Sequence, residues 1–166
     1  MKKGRSIGNR VVRNKSLCID TSDNGVSQKC LAPGCKQCPL TGERKNIIVN
    51  NVRVGIQPGL NCKSDNVIYL WICKLCILEN AYFGRTTQRC NDRTSGHRKC
   101  FNDNDYLKSA LSMHAKDKHG MQMDLKNFKI TIVKKVSPQN LKREEFRHIE
   151  KYRTQIYGLN RYKTTR

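Results

Sequence analysis

Val67-Ile68-Tyr69-Leu70-Trp71-Ile72 and, after a short gap, Ala81-Tyr82-Phe83-Gly84 decide how this chain is read. The first stretch is rich in β-branched and aromatic residues, the side chains that suit a pleated, half-buried surface, and it predicts a strand. The second is a shorter strand ending at a glycine. Lys74 to Asn80 mixes charged and apolar residues and supplies the turn, so the two stretches predict a hairpin.

Downstream, Thr86 or Thr87 is expected to cap a helix running through Arg89, Arg93 and His97. Residues 99–105 read as a polar loop. Leu107, Ala110, Leu111 and His114 fall at helical spacing, predicting a helix from Tyr106 to Lys118 that Gly120 ends. Phe128 to Val133 alternates as a third strand. Ser137-Pro138 opens a last helix with Leu141, Glu145, Ile149 and Tyr152 on one face. Gly158 ends that region, and a basic tail covers 161–166.

Upstream, residues 18–62 are rich in Cys, Gly, Pro, Asn and Ser and lack helical periodicity. Ile47–Val49 and Val52–Val54 can pair across Asn50-Asn51. Residues 1–17 hold six basic and no acidic residues and read as a flexible basic arm. The expected fold is α+β: a small three-stranded antiparallel sheet flanked by helices over 63–160, preceded by a cysteine-rich zinc-stapled extension.

Composition limits the function. Of 166 residues, 37% are hydrophobic, so the core is small and needs other support. Nine cysteines and four histidines are the candidates for it. The longest apolar run, Val67 to Cys73, is too short to span a bilayer, and no signal peptide is visible. An intracellular chain keeps its thiols reduced, which favours metal over disulfides. The net charge is +20, with 33 Lys and Arg against 13 Asp and Glu. Such an excess repels itself unless a polyanion neutralises it, and nucleic acid is the leading partner. No long amphipathic basic helix supports a membrane surface.

Two clusters have metal-ligand spacing. Cys73-x2-Cys76 at the hairpin tip and His114-x4-His119 at a helix end supply two thiolates and two imidazoles for one tetrahedral zinc. Cys30-x4-Cys35-x2-Cys38 with Cys62 offers an all-thiolate site, with Cys18 as a competing ligand. Cys90 and Cys100 are left over and read as buried or adventitious thiols. The expected content is about two zinc ions per chain.

Hydrolysing a phosphodiester needs a group that handles the attacking water, a cation for developing charge, and a metal held by a carboxylate. With 13 acids this chain does not suit a site of several clustered carboxylates, which leaves room for a one-metal mechanism. Val67-Ile68-Tyr69, Tyr82-Phe83-Gly84, Arg93, His97, Glu145 and Asn160 occur in that order and resemble the GIY-YIG endonuclease family. The Cys-x2-Cys between the tyrosine motifs and the His-x4-His after them resemble the endonuclease domain of Penelope-like retroelements. So do the upstream cysteines, Asn61-Cys62, His97-Arg98, Arg143-Glu144-Glu145 and Gly158-Leu159-Asn160. Val67 stands where the name motif has glycine, Phe83 where it has isoleucine or valine, and His148 where tryptophan is common.

The resemblance implies a metal-dependent DNA endonuclease, a nickase that primes reverse transcription. Tyr69 is then the general base or the group that positions water, and Tyr82 lines the same site. Arg93 stabilises the phosphate, His97 assists proton transfer, Glu145 binds one Mg²⁺ or Mn²⁺, and Asn160 orients the site. Arg85, Arg89 and Arg98 are candidate nucleic-acid contacts. Glu144 rivals Glu145, and His97 is an alternative zinc ligand. The implied setting is nuclear, with DNA as partner, RNA as a second candidate, and a reverse transcriptase domain in the parent polypeptide or as a partner. A non-catalytic, zinc-stapled nucleic-acid-binding module is the alternative, as is a zinc-dependent protein-interaction domain. The latter leaves the charge unexplained.

Overall fold

A computed structural model describes residues 25–78, 80–120 and 123–161. The basic arm at 1–17, Cys18 with the rest of 18–24, and residues 162–166 of the basic tail lie outside the described residues. Strands β1 (Ile47–Val49) and β2 (Val52–Val54) form a hairpin. β3 (Val67–Cys73), β4 (Ala81–Thr86) and β5 (Phe128–Lys135) form the main sheet. Helices α1 (Cys90–Asn102), α2 (Ala110–His119) and α3 (Leu141–Lys151) complete the fold. The expected α+β class, with a small three-stranded antiparallel sheet and helices, is what is observed.

The sheet order is β4-β3-β5, with β3 central and antiparallel to both neighbours. Central placement suits β3, whose seven residues are nearly all buried. Alternation sorts its side chains between two faces. Val67, Tyr69, Trp71 and Cys73 join one core with Leu111 of α2 and Phe128, Ile130 and Ile132 of β5. Ile68 and Leu70 join a second core with Phe83, Leu141 and Tyr152, closed by Ile47, Val49 and Val54 of the small hairpin. That hairpin turns at Asn50 and Asn51, whose positive φ of 47° and 63° suits a two-residue turn. Asn50 also donates to the Tyr152 carbonyl at 2.7 Å, fixing the hairpin to the end of α3.

Both edges of the sheet are covered, and this governs the site. Along β5, the Gly42 amide donates to the Ile130 carbonyl at 2.8 Å and the Gln57 amide to the Val133 carbonyl at 2.8 Å. The Ile132 amide donates to Ser27 Oγ at 3.1 Å. The cysteine-rich segment is therefore a side wall of the sheet, and it supplies Leu40, Leu60 and Ile56 to the two cores. Along β4, the carboxamide of Asn160 takes the place of a further strand. It accepts from the Phe83 amide at 2.9 Å and donates to the Phe83 carbonyl at 2.7 Å.

Three expected boundaries are corrected. Neither Thr86 nor Thr87 caps α1, which starts at Cys90 with no side-chain cap bond. Thr86 Oγ1 instead accepts from the Gln88 amide at 3.1 Å, closing a local turn that ends β4. Residues 99–102 are helical, not loop, because Phe101 packs edge-on against Phe128 and draws the last turn of α1 onto the core. α2 begins at Ala110, not Tyr106, and Leu107 is exposed. The last helix opens with a 3₁₀ turn at Pro138–Asn140 before α3.

Candidate active site and metal centres

The hairpin register sets Tyr69 opposite Gly84 and Trp71 opposite Tyr82, so both tyrosines share a face. The missing side chain at Gly84 matters there. A Cβ would lie 2.6 Å from the ring and hydroxyl of Tyr69, so only glycine lets the phenol lie across β4. α1 covers this face and brings Arg93 and His97, four residues apart, to the same hydroxyl. Arg93 Nε donates to Tyr69 Oη at 3.2 Å, and His97 Nε2 lies 3.3 Å from the same oxygen. His97 Nδ1 is 3.1 Å from Ser109 Oγ. Tyr82 and Trp71 meet the imidazole edge-on, with ring centres 6.3 and 6.0 Å away.

Burial sets the charge states. Tyr69 is 1% exposed. Desolvation, then the nearby Tyr82, raise its pKa above the ordinary phenol value, against the opposing pull of Arg93. His97 is pushed down to about 3 by desolvation and then by the Arg93 charge. At neutral pH the pair is therefore an uncharged phenol against an uncharged imidazole.

Glu145 arrives from the other face. α3 packs over Phe83, which stacks on Tyr152 with ring centres 4.8 Å apart. The Glu145 carboxylate accepts from Arg85 Nε of edge strand β4 at 2.8 Å and is 15% exposed. Its rival Glu144 is engaged by Lys134 at 3.1 Å and Arg147 at 3.4 Å. Thus Tyr69, Tyr82, Arg93 and His97 gather on one face, while Glu145 and Arg85 flank the same strand on the other. Asn160 clamps β4 between Tyr82 and Gly84, and Thr154 Oγ1 donates to its Oδ1 at 2.7 Å. Of the candidate nucleic-acid contacts, Arg89 is exposed. Arg98 instead donates to the Lys36 carbonyl at 2.9 Å.

Both metal-ligand groups assemble as the spacing predicts. In each, the four donor atoms lie within 4.8 Å of one another. Cys38 Sγ is 3.6 Å from Cys30 Sγ and 3.7 Å from Cys62 Sγ. Tetrahedral zinc with sulfur bonds of about 2.3 Å sets neighbouring sulfurs roughly 3.8 Å apart, so this group can hold zinc. Cys76 Sγ is 3.1 Å from His119 Nε2 and 3.5 Å from His114 Nε2, and Cys73 Sγ is 3.6 Å from His119 Nε2. That group joins the hairpin tip to α2 and can also hold zinc. His97 bonds elsewhere, which leaves His114 and His119 as the imidazole pair.

Two residues with no motif complete the arrangement. Gln37, between Cys35 and Cys38, is buried. It donates to Cys90 Sγ at 3.6 Å and accepts from Thr94 Oγ1 at 3.0 Å. The all-cysteine group is thereby tied to the first turns of α1, which carries Arg93 and His97. Ser109, immediately before α2, tethers His97 from the side of the Cys/His group. The expected helix start at Tyr106 would have placed this serine inside the helix, which hides its use. A buried glutamine in a loop carries no sequence signal. Leftover Cys90 is buried as expected, at the Gln37 contact.

No helix among the described residues is long and apolar enough to cross a membrane. No protein-family model, no curated protein and no solved structure matches the chain.

Proposed function

We propose that the chain is a metal-dependent DNA endonuclease of the GIY-YIG type, cutting one strand, with two structural zinc ions. The observation that carries this reading is the convergence of Arg93, Tyr69, His97 and Ser109 in one hydrogen-bonded series on the hairpin. A packing tyrosine has no need of a cation and an imidazole on its hydroxyl at once.

The neutral state of the pair supports the second of two roles for Tyr69. Burial disfavours phenolate, so Tyr69 acts as a neutral hydroxyl that positions the attacking water. In the tautomer where His97 Nε2 accepts the phenol proton, its Nδ1–H is donated to Ser109, which fixes the ring. Tyr82 is half-buried beside them and lines the approach to the site. Arg93 keeps its charge and faces the developing charge on the phosphate. Glu145 fits the role of single carboxylate ligand to Mg²⁺ or Mn²⁺, ions that keep several waters and need few protein groups. When bound, such an ion supplies Lewis acidity and an acidified water. Arg85 holds that carboxylate in place at the strand edge.

Nicking of supercoiled plasmid tests the proposal. Glu145→Ala is expected to abolish nicking in Mg²⁺ while DNA binding persists. An unmutated protein that binds DNA but never nicks it with Mg²⁺ or Mn²⁺ leaves the non-catalytic binding module. That second reading is favoured by the near-complete burial of the Tyr69 side chain. Elemental analysis is expected to find about two zinc per chain. The retroelement setting, a reverse transcriptase partner and a nuclear site of action belong to the same proposal and rest on the motif order alone.

A further inference from the structure

The β3–β4 turn carries three aliphatic side chains that the fold does not use. Leu75, Ile77 and Leu78 are 56%, 94% and 78% exposed, beside buried or half-buried Cys73 and Cys76. In a chain with a 37% hydrophobic share, three such residues on one seven-residue turn are a concentrated exposure. They sit on the turn that joins β3 to β4, whose base carries the Cys73, Cys76, His114 and His119 group. The backbone of the apex is further fixed by Asn80, which donates to the Cys76 carbonyl at 3.0 Å.

The surroundings of this apex are cationic. Ile77 and Leu78 share a surface hollow with Lys118 and Arg161, whose charges both act on Cys76. Lys74 opens the turn, and Glu79 is its one acid. Exposed, bulky aliphatic residues on an anchored hairpin turn, flanked by cations, match the chemistry of a wedge that enters a base step while its flanks hold phosphates. A protein partner would gain from the apolar tip but not from the cations around it.

We infer that Ile77 and Leu78 form a wedge that inserts into duplex DNA, unstacking one base step and bending the helix. This rests on the nucleic-acid reading above and adds a second point of contact on the same hairpin. The offset follows from geometry. Tyr69 and Cys73 are four residues apart on β3, about 13 Å, and the apex lies beyond. At about 3.4 Å per base along one strand, the unstacked step falls roughly four to six steps from the cut.

The test uses the full zinc-loaded chain and duplexes with 2-aminopurine placed at successive steps, plus end-labelled duplexes that report bending by energy transfer. The expected result is a rise in 2-aminopurine fluorescence confined to one or two steps, with bending. The Ile77→Ala/Leu78→Ala double variant removes both signals and weakens duplex binding about tenfold. Its zinc content and thermal unfolding stay unchanged, because both side chains are exposed. Binding without a localised signal, or an undiminished signal in the double variant, overturns the wedge but leaves the endonuclease reading standing. A double variant that changes only self-association in sedimentation assigns the tip to a protein contact and overturns the wedge. No duplex binding by the unmutated chain sinks the nucleic-acid reading itself.

Discussion

The two faces of the central sheet are built from the same strands and do different work. The face under α3 is mainly apolar packing: Ile68, Leu70, Phe83 and Tyr152 fit together, with the His148 ring set against Phe83 and Tyr152. The face under α1 and α2 buries a tyrosine, a tryptophan and a histidine, and places an arginine among them. Such polar burial is costly unless every group finds a partner. His97 finds one outside the sheet in Ser109, Tyr69 finds Arg93 and His97 on α1, and Gln37 ties α1 down through Cys90 and Thr94, while Trp71 Nε1 is left without a hydrogen bond among the described residues. The difference teaches that the two metal-ligand groups sit where they do more than thicken a small core: each stands beside a residue, Gln37 or Ser109, that ties α1 in place over the polar face.

That contrast can be broken by substitutions on either side. Phe83→Ala removes a fully buried ring from the packing face and is expected to cost about 3–5 kcal/mol in urea unfolding. Because α3 carries Glu145 over this ring, nicking per folded molecule should fall, but by less than for Arg93→Ala; a variant that keeps its stability but loses nicking would erase the division. Arg93→Ala is the opposite case. Nicking should fall about 10²–10³-fold, comparable to removing one preorganised donor from a transition state. Unfolding should move less than for Phe83→Ala, since Arg93 is half-buried.

Gly84→Ala crosses the division, because its new Cβ would meet the Tyr69 ring at 2.6 Å. The expected cost is about 1–3 kcal/mol, with a drop in nicking larger than that stability loss explains. Equal stability and activity would show that Tyr69 has room to move. The last case, silent at neutral pH, concerns His97. Its pKa is about 3 in the fold and about 6.5 in the unfolded chain, so between those values the unfolded state binds more protons. Stability from keeping His97 neutral is complete above about pH 6.5 and declines as pH falls toward about 3. His97→Gln should flatten that part of the stability–pH curve relative to the unmutated chain. Parallel curves would contradict the burial argument.

Much of this was legible in the residues. The Val67–Ile72 run named the central strand because β-branched and aromatic side chains have few other uses in such density. The ligand spacings named both metal groups because a tetrahedral ion restricts where its donors can stand. What stayed illegible depended on contacts between distant segments. The last turn of α1 exists because Phe101 finds Phe128, and no local pattern announces that. Leu107 fitted a helical period and yet lies outside α2, exposed. Arg85 read as a candidate nucleic-acid contact, and its pairing with Glu145 comes only with folding. The side wall formed by residues 25–62 depends on single backbone bonds to β5, which composition does not encode.

The carboxamide of Asn160 has a consequence for where this unit can be cut. It occupies the amide and carbonyl that Phe83 turns outward from the sheet. A fragment ending before Gly158 would keep every strand and every metal ligand, yet leave that backbone pair open to water. An open strand edge is where a neighbouring molecule adds its own strand. The border of this folding unit therefore lies past its last helix, at a single side chain that keeps one copy from zipping onto the next.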